Sequence, residues 1–249
     1  MLTDVHCHLD FKDYDRDRDA VVERAAGMLI VNSCVEADSV QKALAMCKSY
    51  RNVRCMLGFS ASATDENAFN RMRSLIKEHK DEIVGIGEVG LDYHWVKDEE
   101  GREAERRHFI ELIELARALN MPLLVHSRDA ESDSINILRE RKVRAIMHCF
   151  SGTVEEAKQA VESGCLISVP TNVTYSKSRQ KLVQALPLES IVLETDAPYL
   201  APVRLERNEP ANVRVACLKV AQLKGVTASV VEDKTTDNAL TFLKLKKNG

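Results

Sequence analysis

The sequence predicts an α/β fold, a single (β/α)₈ TIM barrel in which eight parallel strands alternate with helices. Short apolar runs without strict alternation recur eight times along the chain, as expected of strands that are buried on both faces. Each run is followed by a longer stretch with the apolar spacing of an amphipathic helix. The count of eight favours a closed barrel, because doubly wound sheets usually have fewer strands and a glycine-rich first turn, which this sequence lacks.

The predicted strands are the apolar runs themselves, taken in chain order. Each is short, and a polar break follows it before the helical stretch begins. The predicted strands are Leu2–Val5, Met28–Val31, Val53–Leu57, Ile83–Ile86, Pro122–Val125, Ala145–Met147, Leu166–Val169 and Ile191–Leu193.

The clearest predicted helix is Arg106–Leu119, in which five apolar residues fall on one stripe. The charged run Lys12–Asp19 is interpreted as a solvated loop and helix start rather than as an interaction tail. The last two predicted helices close the chain. The remaining predicted helices are Val40–Ser49, Phe69–Glu78, Ile135–Arg141, Val154–Ser163, Arg179–Leu186, Val213–Lys224 and Ser229–Lys246.

The length and the net charge of the chain limit which classes of protein it can belong to. The 249 residues suit one domain of barrel type, spanning residues 1–249, with a core large enough to need no disulfide or structural metal. The chain has 35 basic and 38 acidic side chains, a formal net charge of −3. This balance argues against a protein whose whole surface wraps duplex nucleic acid, although a local basic rim around a site remains compatible with it.

The cysteines and the N-terminus predict a cytoplasmic protein. The seven cysteines are scattered and odd in number, and no Cys-x-x-Cys occurs, which indicates reduced thiols rather than a disulfide framework. The first residues do not form a signal peptide, and no apolar run is long enough to span a membrane.

Six potential metal ligands lie at or just past the ends of predicted strands. In a barrel all six converge on the face where the carboxyl ends of the strands meet. Since His6 and His8 are two positions apart on an extended segment, their rings point to the same side. The predicted ligands are His6, His8, Glu88, His126, His148 and Asp196.

This set is too large for one tetrahedral ion that keeps an open position, and it suits two divalent ions about 3.5–4 Å apart. Glu88 is best placed to bridge them. We expect His6, His8, Glu88 and Asp196 on one ion, and Glu88, His126 and His148 on the other. Zinc, manganese or magnesium are the candidate ions, and a water held between them becomes a nucleophile near neutral pH.

The ligands lie inside longer characteristic segments, and one more segment follows the last strand. These segments are Asp4–Asp10 (DVHCHLD), Gly87–Tyr93 (GEVGLDY), His126–Ala130 (HSRDA), His148–Gly152 (HCFSG), Glu194–Leu200 (ETDAPYL) and Arg207–Pro210 (RNEP). Together they resemble the TatD family of metal-dependent deoxyribonucleases, and the resemblance covers nearly the whole chain in the family's order.

The resemblance implies an amidohydrolase-like barrel with a two-metal site that hydrolyses phosphodiester bonds, often from DNA ends. It implies the same six metal ligands. This sequence departs from the family after the third strand, where Gly58–Ser62 reads GFSAS in place of the common Gly-x-His-Pro. The missing histidine affects the expected substrate preference rather than metal binding.

Several residues are candidates for roles beyond metal binding. Asp196 and Glu88 are predicted to be catalytic: Asp196 as the general base, which accepts the water's proton, and Glu88 as the bridge. Arg128 could grip a phosphate, or form a salt bridge with a nearby acid. Arg207 lies on the loop after the last strand, where barrels often bind phosphate, and could equally be a solvated charge. The aromatic candidates for stacking on DNA bases are Tyr93, Trp95 and Tyr199.

Three further interpretations are more modest. Glu194 could accept a hydrogen bond from a metal-bound histidine, or be a satisfied polar group in the barrel mouth. His79 and His108 are interpreted as surface residues of helices. His94 is expected in a loop close to the site.

Two classes of enzyme and one class of non-enzyme are compatible with the metal ligands. The favoured function is a nuclease acting on single-stranded or frayed DNA ends. A related hydrolase acting on an amide, lactone or aminoacyl ester is the alternative. Many such two-metal enzymes bridge their ions with a modified lysine on the fourth strand, where this chain has Glu88 and no lysine. A non-catalytic metal-binding protein is disfavoured, because both ligand sets leave room for a nucleophilic water.

Overall fold

The computed structural model describes residues 1–246, and within them eight parallel strands form one sheet in the order of the sequence. Each strand pairs with the next along the chain. The predicted (β/α)₈ barrel is therefore confirmed. The strands are β1 Thr3–Cys7, β2 Leu29–Cys34, β3 Val53–Leu57, β4 Gly85–Asp92, β5 Leu123–Arg128, β6 Ile146–Met147, β7 Leu166–Val169 and β8 Ile191–Leu193.

The helices lie between the strands, and two follow the last strand. The ends of α2 to α9 agree with the predicted helices to within four residues, except at the start of α4, and α1 begins inside the run Lys12–Asp19 that was interpreted as a loop and helix start. The helices are α1 Arg18–Arg24, α2 Val40–Ser49, α3 Glu66–Glu78, α4 Glu99–Leu119, α5 Glu131–Arg141, α6 Val154–Glu162, α7 Lys177–Ala185, α8 Val213–Lys224 and α9 Ala228–Phe242.

The barrel closes where the segment after β8 meets β1. Cys7 pairs in parallel with Ala197. The amide of His8 donates to the carbonyl of Ala197 at 2.7 Å, and the amide of Asp196 donates to the carbonyl of His6 at 3.0 Å. The closing hydrogen bonds therefore involve the backbone of three predicted metal ligands, and they fix those three residues relative to one another.

Two layers of apolar side chains stabilise the barrel. The inner layer fills the barrel interior, and the end of α9 covers it from one side through Ala239 and Leu243. The outer layer lies between the strands and the surrounding helices, as expected for this fold. The strand residues of the inner layer are Val5, Val31, Met56, Leu124, Ile146 and Val192.

Helix α4 begins seven residues before its predicted start, because a cap rather than an apolar stripe sets its first turn. The carboxylate of Asp98 accepts a hydrogen bond from the amide of Gly101 at 2.8 Å, which satisfies one of the unpaired amides at a helix start. The first turns of α4 consist mainly of charged residues, so no apolar spacing predicts them as helix. The helix ends at Asn120, which has a left-handed backbone with φ of 53°.

Strand β4 differs most from its prediction. It was predicted at Ile83–Ile86 and spans Gly85–Asp92, so Glu88 lies inside the strand rather than after it. Gly87 and Gly90 carry no side chain, so the apolar pattern fades although the strand continues. The register of β4 against β5 also shifts between Ile86 and Val89, which a regular pattern does not predict.

All seven cysteines are free thiols, as the sequence predicted, and five of them are buried. No helix within the described residues combines the length and the apolar character that crossing a membrane requires.

Candidate metal centre

The six predicted ligands lie around one common space at the carboxyl ends of the strands, with Glu88 in the middle. Its Oε2 atom lies 3.6 Å from Nε2 of His6 and 3.6 Å from Nε2 of His8. Its Oε1 atom lies 2.7 Å from Nδ1 of His126 and 3.9 Å from Nε2 of His148. The two oxygens of this carboxylate therefore face two different pairs of histidines.

Asp196 approaches the same space through one of its two oxygens. Its Oδ1 atom lies 3.3 Å from Nε2 of His6, 3.9 Å from Nε2 of His8 and 3.9 Å from Nε2 of His148. Its backbone has φ of 57°, a left-handed conformation that Asp and Asn tolerate better than most residues. This turn directs the carboxylate back over the end of β1.

The donor atoms could hold divalent ions in three overlapping sets. One set is His6, His8 and Glu88, another is Glu88, His126 and His148, and the third joins His6, His148 and Asp196. Imidazole and carboxylate together are donors that zinc and manganese accept.

One buried atom supports this assignment directly. Nδ1 of His126 is buried and is not aligned for a hydrogen bond to the nearby Glu88, so within residues 1–246 it has no hydrogen-bond partner. A buried polar atom without a partner is costly. A metal ion held with Glu88 and His148 would supply the missing partner.

Three residues outside the ligand set hold the histidine rings from behind. Ser33 serves two of them: its Oγ lies 3.0 Å from Nδ1 of His6, and its carbonyl oxygen lies 2.9 Å from Nδ1 of His8. The carboxylate of Glu194 lies 3.0 Å from Nδ1 of His148 and also accepts the amide of Cys149. Such partners fix the tautomer and orientation of a ligating imidazole.

The third of these residues is Asp92, whose Oδ2 atom lies 3.0 Å from Nε2 of His126. The sequence analysis did not single out Asp92 or Ser33. A signal for each was present: Asp92 lies four residues after Glu88 on the same strand, and Ser33 lies two residues after the inward-facing Val31. Both therefore share the side of their strand that faces the site.

Neighbouring groups shift the pKa values of the carboxylate and histidine side chains in the site. Burial raises the pKa of Glu88, but the nearby histidines, above all His126 and His148, outweigh burial and hold that pKa well below its usual range. Burial lowers the pKa of His126, but the carboxylates of Asp92 and Glu88 outweigh burial and raise that pKa to about 10. A proton on His126 competes with a metal for the same nitrogen, so metal binding releases protons.

Two glycines allow the backbone of the site to pack closely. A Cβ at Gly58 would lie 2.2 Å from the carbonyl oxygen of Glu88. A Cβ at Gly90, whose φ is 150°, would lie 2.0 Å from the carbonyl oxygen of His126. Because no side chain fits at either position, β3, β4 and β5 can approach closely enough to bring Glu88 and His126 together.

Two predicted substrate-binding residues do not point to the ligand cluster. Tyr93 is 9% exposed, and its hydroxyl donates to Asp133 at 2.8 Å and accepts from Arg106 at 3.1 Å, so its side chain lies between α4 and α5. Arg207 donates to the backbone carbonyl of Asp13 and pairs through two nitrogens with the carboxylate of Asp17. Hydrogen bonds to other protein groups therefore occupy the Tyr93 hydroxyl and the Arg207 guanidinium.

Arg128 remains available, because it makes no ion pair with another described residue, and the alternative salt bridge with Asp129 does not form. Its guanidinium carbon lies 5.8 Å from the centre of the Trp95 ring. Asp129 instead lies 3.4 Å from Nδ1 of His94. The exposed loop residues His94 and Trp95 therefore lie beside Arg128.

The segment Gly58–Ser62, which lacks the histidine common in the family, contributes a side chain to the core. Phe59 is buried and lies edge-on to the rings of Phe69 and His108. His108 was interpreted as a surface residue, and this is wrong: it is buried and stacks on Phe69 with ring centres 4.0 Å apart. It faces the core because it lies one residue before Phe109, at the edge of the apolar stripe of α4.

Comparison with known proteins agrees with this site. A family model described as "TatD related DNase" matches residues 3–244. The chain is 37% identical over 245 residues to an uncharacterized metal-dependent hydrolase of Methanocaldococcus jannaschii, covering 97% of this chain and 96% of that one. It is 36% identical over 262 residues to deoxyribonuclease TATDN3 of Homo sapiens, covering 98% and 96%.

The fold agrees with a solved structure of the same kind. The crystal structure of YJJV, a TatD homologue of Escherichia coli K12, superposes with a TM-score of 0.89 and 25% sequence identity, covering 98% of each chain. The resemblance read from the sequence segments is thereby confirmed.

Proposed function

The chain belongs to the TatD-related DNase family of metal-dependent hydrolases, and from this premise we propose that it hydrolyses phosphodiester bonds at single-stranded or frayed ends of DNA. The observation that carries the proposal is the position of Glu88, whose two oxygens face two pairs of histidines. A carboxylate in that position could bridge two cations. We propose that residues 1–249 form one catalytic domain.

We assign two divalent ions to the site, zinc, manganese or magnesium. His6, His8, Glu88 and Asp196 would hold one, and Glu88, His126 and His148 the other. When bound, such ions lower the pKa of water and neutralise the negative charge that develops on a phosphoryl group. Ser33, Asp92 and Glu194 would keep each imidazole in the tautomer that leaves a free nitrogen toward the site.

Asp196 is the proposed general base. All of its contacts with histidines involve Oδ1, which leaves Oδ2 free to accept a proton from the attacking water. The buried histidines hold the pKa of Asp196 below its ordinary value although burial alone raises it. The carboxylate is therefore ionised near neutral pH and ready to take the proton.

Charge distribution supports strand ends as the substrate. The net charge of −3 provides no large basic surface for duplex DNA. Cationic groups near the site are few, and Arg128, whose guanidinium lies over the Trp95 ring, is one that makes no ion pair with another described residue. A flexible strand end needs only a few phosphate contacts to reach a site at the barrel mouth, so we propose binding through one or two phosphates.

The test is a comparison of substrates with purified, metal-loaded protein. Single-stranded, blunt duplex and closed circular DNA, together with a lactone and an aminoacyl ester, are incubated side by side. We expect nucleotides to be released fastest from single-stranded ends. Faster turnover of the lactone or aminoacyl ester would favour the related hydrolase function, and rapid cutting of closed circles would contradict the preference for ends.

A further inference from the structure

The loop after β4 exposes a large aromatic side chain beside the candidate metal centre. Trp95, the one tryptophan of the sequence, is 66% exposed. The guanidinium of Arg128 lies over its ring at 5.8 Å, and the ring of His94 lies edge-on with centres 5.0 Å apart. Exposure of so large an apolar ring costs free energy, which a bound partner would offset.

This loop is anchored to the metal centre through one carboxylate. Oδ1 of Asp92 accepts hydrogen bonds from the amides of His94, at 3.0 Å, and Trp95, at 3.2 Å. Oδ2 of the same side chain lies 3.0 Å from Nε2 of His126. The carboxylate of Asp92 thus connects the backbone of Trp95 to His126, a proposed metal ligand, and fixes the loop relative to that histidine.

The surroundings of Trp95 indicate which part of a nucleotide it would contact. Trp95 lines a groove of about 430 Å³ together with the acidic residues Asp98 and Glu100, while the one arginine of its lining, Arg107, is paired with Glu66. The unpaired carboxylates repel phosphate. Arg128, whose guanidinium lies 5.8 Å from the centre of the Trp95 ring, makes no ion pair with another described residue and attracts phosphate. A strand would therefore place its backbone toward Arg128 and a base against the tryptophan ring.

We propose that Trp95 and Arg128 form a stacking platform for a base of the single-stranded DNA whose phosphate reaches the metal centre. The inference rests on the proposed nuclease function and specifies its substrate binding. Stacking on an aromatic ring favours single-stranded over paired DNA, because a paired base is already stacked within its helix. It also explains binding without a large basic surface, since each stacked base contributes about 1–3 kcal/mol.

The single tryptophan makes the platform directly observable. Metal-loaded protein is titrated with a short single-stranded oligonucleotide whose phosphorothioate linkages slow hydrolysis, and Trp95 fluorescence is recorded. A matched oligonucleotide with abasic sugars supplies the same phosphates without bases. We expect quenching by the normal oligonucleotide and little by the abasic one. Equal responses to the two, or no response to the normal oligonucleotide at concentrations that support hydrolysis, would overturn the platform.

Variants provide a second measurement. Trp95→Ala should raise KM for single-stranded DNA about tenfold with a smaller change in kcat, and Trp95→Phe should restore most of the loss. Val230→Ala, an exposed position on α9, is the control and should not change KM. An unchanged KM in Trp95→Ala would contradict the proposal.

The experiments distinguish failure of the proposed nuclease function from failure of the stacking platform. Rapid DNA hydrolysis without base-dependent quenching would leave the nuclease function in place and remove the platform. Base-dependent quenching without DNA hydrolysis at any metal loading would leave the platform as a base-binding site and contradict the nuclease function. If a protein surface rather than a base covered Trp95, neither oligonucleotide would quench its fluorescence, and the platform would be wrong.

Discussion

Asp92 lies on the side of the His126 ring opposite to Glu88: its Oδ2 atom is 3.0 Å from Nε2, while Nδ1 faces Oε1 of Glu88 at 2.7 Å. This arrangement determines which ring nitrogen can bind a metal. A carboxylate behind the ring holds the proton on Nε2 and leaves the lone pair of Nδ1 pointing into the site. The protein therefore selects the tautomer of a proposed ligand through Asp92, which lies outside the proposed ligand set.

Replacing Asp92 should weaken metal binding without removing a ligand. In Asp92→Asn the amide group can donate to Nε2 and shift the ring proton to Nδ1, so we expect metal affinity at the His126 side to fall about 10–100-fold. Isothermal titration with zinc or manganese measures this. Asp129→Asn, on the neighbouring exposed loop, is the control. Equal metal affinities in both variants would contradict the role of Asp92.

Replacing Glu88 should change the number of ions held. The neutral amide of Glu88→Gln cannot offset the repulsion between two dications, so we expect occupancy to fall from two ions toward one. Elemental analysis of purified protein counts the ions directly, with Glu206→Gln on the exposed loop after β8 as the control. If Glu88→Gln still held two ions tightly, Glu88 would not be the bridge.

Asp196→Asn separates metal binding from proton transfer. The amide keeps an oxygen toward the histidines, and asparagine tolerates the left-handed backbone of this position. It cannot accept a proton, and loss of a general base costs about 10²–10⁴-fold in rate. We therefore expect near-normal metal content and a kcat reduced by that factor. A rate close to that of the wild type would exclude Asp196 as the base.

A buried carboxyl group behind Asp92 should make folding stability depend on pH. Glu105 is 1% exposed, and burial, followed by the charge of Asp92, raises its pKa to about 7 although the amide of Asp92 lowers it. The folded state therefore keeps a proton that the unfolded chain loses above about 4.3, the ordinary pKa of a glutamate. Its contribution to stability is fully present below that pH and is lost as pH rises to about 7.

Glu105→Gln tests this dependence, because an amide does not titrate. Denaturant unfolding is measured between pH 5 and 8 with a chelator present, and Glu103→Gln on the exposed side of α4 is the control. We expect the wild type and Glu103→Gln to lose stability across the interval relative to Glu105→Gln. Parallel curves for all three proteins would show that Glu105 is ionised throughout.

The sequence predicted the fold, and the place where the six candidate ligands come together, for one physical reason. A polar residue at the end of a buried apolar run is conspicuous, and parallel strands bring such ends to one face. His6, His126 and His148 were found in this way. Glu88 was identified as well. Its strand is longer than predicted, because the glycines around Glu88 leave no apolar pattern to mark the true end of the strand.

The surrounding contacts were less predictable, because they depend on long-range packing. Arg207 pairs with Asp17, which lies 190 positions earlier in the chain, and no local pattern indicates that contact. Tyr93 lies next in sequence to Asp92, yet successive strand residues point to opposite sides, so one faces the metal centre and the other faces the helices. Asp92 itself could have been predicted from this alternation once β4 was extended.

The measurement that tests the central claim most directly is a metal titration of metal-free protein during DNA hydrolysis. Zinc or manganese is added in known ratios to the chain, and nucleotide release from single-stranded DNA is followed. We expect hydrolysis to rise with the second equivalent of metal and to level off near two ions per chain. Full activity at one ion per chain, or two bound ions with no DNA hydrolysis, would contradict the proposed two-ion nuclease.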